Sequence, residues 1–80
     1  MEFYYVYILK DKSESHHYIG VTSNLKLRLQ KHNEGGCPHT SRFRPWTLQA
    51  AISFSDKDKA YKFERYLKSG SGRQFALRHF

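Results

Sequence analysis

Residues 3–10, Phe-Tyr-Tyr-Val-Tyr-Ile-Leu-Lys, carry aromatic or aliphatic side chains at odd and even positions alike. Successive side chains of an extended chain point to opposite faces, so this run has no polar face to give to water and reads as a central strand. Asp-Lys-Ser-Glu (11–14) then reads as a turn, and His17 to Val21 as a second strand. If the loop is those four residues, Tyr7 sits directly opposite Tyr18 and both hydroxyls emerge from one side of the hairpin.

The next stretch, Thr22 to Asn33, changes to a helical pattern. Ser23 or Asn24 can cap it, Leu25 and Leu29 face inward, and Asn33 with Gly35-Gly36 ends it. At about 100° per residue, Arg28 and His32 fall on the arc shared with the two leucines, flanking the packed stripe. Residues 34–45 read as a loop. Trp46 to Phe54 alternates strictly, with Trp46, Leu48, Ala50, Ile52 and Phe54 on one face of a half-buried strand. Ser55 and Asp56 cap a second helix that runs to about Lys68. Ser-Gly-Ser-Gly (69–72) is expected to break it, and residues 73–80 to add one short helical turn.

Eighty residues are expected to form one domain, 1–80, with a thin core. At 39% hydrophobic and 16% aromatic, that core must lean on rings such as Phe3, Trp46, Phe54 and Phe63. No apolar run approaches the roughly 20 residues that span a bilayer, so no membrane partner is expected. The start lacks the basic segment of a secretory signal, and the single cysteine, Cys37, excludes an internal disulfide framework. Both point to a cytoplasmic setting. The net charge of +7 is uneven, since residues 1–40 contribute +1 and residues 41–80 contribute +6. A basic half suggests a polyanionic partner, most simply nucleic acid, beside the plainer reading of a lysine-rich soluble surface.

Glu64 is out of place. The apolar arc of its helix is built from Ala60, Tyr61, Phe63 and Leu67, and Glu64 falls between Ala60 and Tyr61. A carboxylate there costs several kcal/mol unless paired or bound to a cation. A salt bridge to Arg28 or to a neighbouring lysine satisfies it, and so does a metal ion. With Tyr7, Tyr18, Arg28 and His32 it makes a set of polar residues beside packed faces, drawn from two strands and two helices. Phosphodiester hydrolysis needs such a set: a base for water, a cation for the phosphate, a carboxylate for a divalent metal. Tyrosine, with a reference pKa of about 10, is a poor base unless Arg28 and a metal favour its phenolate.

Two other clusters carry less. His16, His17, His32, Cys37 and His39 lack the spacing of a zinc site, and no motif supplies Cys37 with a base. Ser-Arg-Phe-Arg-Pro-Trp (41–46) interleaves Arg42 and Arg44 with rings, a pattern suited to phosphate contacts and base stacking. Trp46 itself is in phase with Leu48 and Ile52 and reads as core.

With these residues in place the chain resembles the GIY-YIG nuclease superfamily, in particular its small stand-alone branch related to the N-terminal domain of the excision-repair subunit UvrC and to intron-encoded endonucleases. Tyr-Val-Tyr (5–7) stands where the family has Gly-Ile-Tyr, and Tyr-Ile-Gly (18–20) matches the second signature. Residues 20–33 resemble the first helix with its arginine and histidine, Arg-Pro-Trp (44–46) opens the third strand, and residues 62–73 carry the glutamate.

The resemblance implies an α+β fold, a three-stranded antiparallel sheet flanked by helices. It implies a metal-dependent endonuclease acting on DNA, in repair or recombination, that leaves 5′-phosphate and 3′-hydroxyl ends. The alternative is a catalytically silent nucleic-acid-binding module of the same fold. In the residue roles it implies, Tyr7 is the general base and Tyr18 supports or replaces it. Arg28 binds the scissile phosphate, His32 hydrogen-bonds the tyrosine or the water, and Glu64 holds Mg²⁺ or Mn²⁺. Gly20 lets the strand approach the first helix, and Arg28, Arg42, Arg44 and Arg73 contact nucleic acid. Tyr5 replaces the first glycine, and the polar residue that follows the metal glutamate in several relatives, often asparagine, would have to be Ser69, Arg73 or Gln74.

Overall fold

The computed structural model describes residues 2–80. Its elements run β1 (Tyr4–Asp11), β2 (His17–Thr22), α1 (Leu25–Asn33), a 3₁₀ turn (Ser41–Phe43), β3 (Trp46–Phe54), α2 (Lys57–Lys68) and α3 (Gly70–His79). The sheet order is β2-β1-β3, antiparallel throughout, so β1 is central as its two-faced apolar run requires. Val6, Tyr7, Ile8 and Leu9 are all buried.

The two faces of β1 build two cores. Val6 and Ile8 cluster with Ala60 and Leu67 of α2, joined by Ile19, Val21, Ala50, Phe54, Phe63 and by Phe75 and Ala76 of α3. Tyr7, Leu9 and Trp46 cluster on the other face with Tyr18, Phe43 and the inward leucines of α1, Leu25 and Leu29. Full burial of a side chain such as Val6, Leu9 or Leu67 contributes about 1.5–3 kcal/mol, so the handful on each face is the main support of so short a chain. Phe3, expected in the core, stays 38% exposed because it precedes the paired segment of β1.

The hairpin register differs from the expected one. Tyr7 pairs with Gly20 and Leu9 with Tyr18. Asp11 is the reason. It closes β1 as a buried residue rather than opening the turn, and its carboxylate accepts the His16 amide (3.1 Å), Ser13 Oγ (2.8 Å) and His16 Nδ1 (2.9 Å). Burial opposes ionisation here, but the hydrogen bonds from His16 and Ser13 overcome it and bring the carboxyl down to about 2. Glu14 takes the left-handed conformation that completes the loop (φ 60°). The slip is two residues, so Tyr7 and Tyr18 still share a face.

β3 keeps its expected bounds but not its single apolar face. A bulge sets Ile8 opposite Ala50 and Leu9 opposite Leu48, leaving Gln49 as the extra residue. Trp46 and Leu48 therefore follow Leu9 toward α1, while Ala50 and Phe54 pack against α2 and α3. Ser69 is extended (ψ 167°) and ends α2 at Lys68 as expected, but Gly70 already opens the next helix, which is longer than one turn. Ser69 caps α3 by accepting the Gly72 amide (3.1 Å), and α3 runs ten residues. Buried Gly72 lies where any Cβ would collide with the Tyr66 carbonyl, so glycine lets α3 cross close to α2.

Candidate active site

Tyr7 is the centre of the site. Its ring is 1% exposed, and its hydroxyl accepts Arg28 Nε at 3.2 Å and lies 3.1 Å from His32 Nε2. α1 delivers both partners. Asn24 caps it by accepting the Leu27 amide (3.1 Å), which sets the helix phase, and the four-residue spacing then stacks Arg28 and His32 on one side. Gly20 makes room for the phenol. A Cβ there would stand 2.5 Å from Tyr7 Oη, so the glycine admits the ring across the hairpin, not the helix that was expected to approach it.

Behind His32 stands Thr40, also 1% exposed, with Oγ1 2.8 Å from His32 Nδ1. The Thr40 hydroxyl donates to the Cys37 carbonyl at 3.3 Å, and the Thr40 carbonyl accepts Trp46 Nε1 at 2.8 Å. Asn33 clamps the same region by exchanging two hydrogen bonds with the Trp46 backbone, at 2.6 and 3.0 Å. The loop expected at 34–45 is thus pinned to α1 and β3 where it passes His32. Tyr18 completes the group, its ring 4.7 Å from His32 and 6.1 Å from Tyr7 between centroids.

The charges are coupled. Burial pushes the Tyr7 hydroxyl above its ordinary value of 10.0, outweighing the downward pull of Arg28. In the folded protein Tyr7 is therefore a neutral phenol, not the phenolate that an adjacent arginine alone would favour. The hydrogen bond with Tyr7 holds the Arg28 guanidinium still more firmly protonated. Burial, aided by the Arg28 charge, lowers His32 below 6.5, which makes it a neutral imidazole at neutral pH.

Arg28 also opens on a cleft of about 250 Å³ with Thr22, Ser23, Asn24, Leu27 and Lys31. Lys31, three residues after Arg28, brings a second cation to it. Its spacing was legible in the sequence; Thr40, in a loop without periodicity, carried no signal.

Among the described residues, none of the other expected site residues makes a hydrogen bond or ion pair with Tyr7, Arg28 or His32, although Lys68 and Arg73 line one groove with Tyr18. Glu64 belongs to α2, whose buried residues pack on the opposite face of the sheet. Its side chain is 17% exposed and pairs with Lys68 at 3.0 Å, the neighbouring-lysine alternative rather than Arg28. Arg42 is exposed in the 3₁₀ turn, 5.9 Å from the Phe43 ring, and Arg44 Nε donates to the Ser41 carbonyl at 2.9 Å. Arg73 borders a groove between the sheet and α3. The Ser69 hydroxyl is taken up by helix capping, and Gln74 is exposed on α3.

Among the described residues no three His, Cys, Asp or Glu side chains converge to hold an ion. His32 is engaged with Tyr7 and Thr40, and His16 with Asp11. A divalent cation at Glu64 would have one carboxylate, with water and phosphate oxygens as its other ligands. That donor set suits Mg²⁺, which keeps several waters and is commonly held by one or two carboxylates plus substrate phosphates.

Known proteins are similar to this chain in sequence and in fold. Residues 3–76 match the model of the GIY-YIG catalytic domain. A UPF0213 protein of Staphylococcus haemolyticus is 39% identical over 72 residues, covering 89% of this chain and 87% of that one. The structure-specific endonuclease subunit SLX1 of Phaeosphaeria nodorum is 38% identical over 68 residues, which cover 78% of this chain and 19% of that protein. The solution NMR structure of the UPF0213 protein BH0048 from Bacillus halodurans superposes with a TM-score of 0.57 at 32% identity, covering 95% of this chain and 83% of its own. It shares the α+β arrangement of a three-stranded antiparallel sheet with three helices. With Tyr7, Tyr18, Arg28 and His32 gathered on one face of that sheet and the match running through nearly all of its length, the chain belongs to the GIY-YIG nuclease family.

Proposed function

We propose that this protein is a divalent-metal-dependent endonuclease that hydrolyses phosphodiester bonds in DNA and leaves 5′-phosphate and 3′-hydroxyl ends. The observation that carries this reading is Arg28, which spends Nε on a buried tyrosine while its side chain also lines an open cleft beside Lys31. A cation in that position meets an anion from outside and a proton-transfer group from inside. The scissile phosphate takes its place in the cleft, where Arg28 neutralises the charge that builds on it. Tyr7 takes the proton of the attacking water as it passes its own to His32 Nε2. The water oxygen bonds to phosphorus as the bond to the 3′-oxygen breaks, and the 3′-oxygen leaves as an alkoxide that solvent protonates. A cation at Glu64 would add Lewis-acid stabilisation of the phosphate. The exposed Arg42 and Arg44 hold flanking phosphates. The likeness to a structure-specific endonuclease subunit supports the endonuclease activity, and a role in repair or recombination is proposed with it.

A second reading, a silent nucleic-acid-binding module, is favoured by the engagement of Glu64 with Lys68. The deciding experiment incubates purified protein with Mg²⁺ or Mn²⁺ and labelled duplex, nicked, flapped and single-stranded DNA, and RNA. Metal-dependent cleavage of DNA with the stated ends is expected. Binding without cleavage of any substrate makes the module reading correct.

A further inference from the structure

A tyrosine whose hydroxyl is harder to ionise than usual is a poor base, so something must relieve Tyr7 of its own proton. We infer that Thr40 is the positioning residue that makes this happen, by holding His32 in the tautomer whose bare Nε2 faces Tyr7. This inference rests on the nuclease reading for its consequence, but not for its geometry.

The hydrogen-bond chain admits one direction. Among the described residues, the hydrogen-bond partners of the Tyr7 hydroxyl are Arg28 Nε and His32 Nε2. Arginine has donors and no acceptor, so the buried Tyr7 proton has one destination, a lone pair on His32 Nε2. His32 is neutral, so its single N–H is then on Nδ1 and points to Thr40 Oγ1 at 2.8 Å. Thr40 has one hydroxyl proton, and it goes to the Cys37 carbonyl. Every donor in the chain from Arg28 to Cys37 meets an acceptor. The reverse tautomer puts Nε2–H against Tyr7 Oη, which already accepts from Arg28, and strands the Tyr7 proton in a buried site. That arrangement costs an unsatisfied buried donor.

The loop is built to keep Thr40 in this role. Its amide and hydroxyl both reach the Cys37 carbonyl, and its own carbonyl is fastened to the buried indole of Trp46. Its Oγ1 is thereby presented to His32 as an acceptor. The consequence is a proton relay. As water gives its proton to Tyr7 Oη, Tyr7 gives its own to His32 Nε2, which becomes imidazolium while Nδ1–H stays on Thr40. The water oxygen bonds to phosphorus, the 3′-oxygen leaves and is protonated from solvent, and the Nε2 proton returns to solvent through Tyr7. No free phenolate forms, so burial of Tyr7 no longer opposes its use as a base.

Two measurements on the full chain test this. In ¹⁵N NMR of the wild type without metal or DNA, His32 should show a protonated Nδ1 and an unprotonated Nε2. The opposite pattern overturns the inference. Thr40→Val keeps the shape but offers no acceptor, so it should mix or invert the tautomers and lower single-turnover cleavage roughly ten- to a hundredfold, as loss of a group that orients a functional histidine does. Thr40→Ser should restore both. A folded Thr40→Val with the wild-type tautomer and rate also overturns it. If Thr40→Val does not fold, the wild-type spectrum and Thr40→Ser still decide. A protein that shows the expected tautomer but cuts no substrate upholds the role of Thr40 and removes the nuclease reading instead.

Discussion

The hydroxyl of Tyr7 lies 2.5 Å from the point where a Cβ at residue 20 would stand. Gly20 is its cross-strand partner, so the hairpin itself makes the room in which Tyr7 meets Arg28 and His32. Gly20→Ala must push the phenol aside. A displacement of about 1 Å in a reacting group costs on the order of 10²-fold in rate, and that loss is expected in single-turnover cleavage. Circular dichroism should show the variant folded, and wild-type activity in it would remove Tyr7 from the chemistry.

Tyr7→Phe removes only the hydroxyl and leaves the ring packed. Cleavage should fall by about 10² to 10⁴, the usual worth of a general base, with DNA affinity nearly intact. Arg28→Ala should lose a similar factor and also bind DNA more weakly. If Tyr7→Phe cuts normally while Tyr18→Phe is inactive, the base is Tyr18.

Exposed Arg42 and Arg44 are expected to act through phosphate contacts. Affinity should then fall steeply with salt, and replacing both by alanine should reduce the slope of log K against log[salt] by roughly one per lost contact. An unchanged slope in a titration series from low to moderate salt would assign binding to other cations.

Glu64→Gln keeps the size of the side chain and removes its charge. A Mn²⁺ titration followed by calorimetry should lose its binding isotherm in the variant, along with metal-dependent cleavage. Equal binding by both proteins excludes Glu64 as a ligand.

Acid should weaken the protein in two stages. The unfolded chain takes up a proton at His32 near 6.5, while folded His32 resists it, so stability declines as pH falls below about 6.5. Cleavage should decline in the same direction, since imidazolium cannot receive the Tyr7 proton. The second stage belongs to Asp11, whose folded value of about 2 lies below the unfolded carboxyl near 4. Its contribution is complete above about pH 4 and fades between there and about 2. Denaturant midpoints measured against pH should lose the second stage in Asp11→Asn and keep the first.

Local pattern was enough for much of this molecule. An apolar run on both faces could only be a central strand, the caps at Asn24 and Asp56 marked the starts of helices, and helical spacing put Arg28 and His32 on one flank of α1. Each of these follows from period and propensity, which are properties of a few neighbouring residues. The Tyr7–Gly20 register depended instead on a buried carboxylate at Asp11, and the split face of β3 on a bulge at Gln49. The glycine- and serine-rich stretch does break α2 at Ser69, but the ten-residue length of α3 was not legible, because Gly72 lets it pack closely on α2. Thr40 entered the site for the same kind of reason. Burial and close approach arise between segments far apart in the chain, and their energies exceed the few tenths of a kcal/mol by which local preference usually speaks.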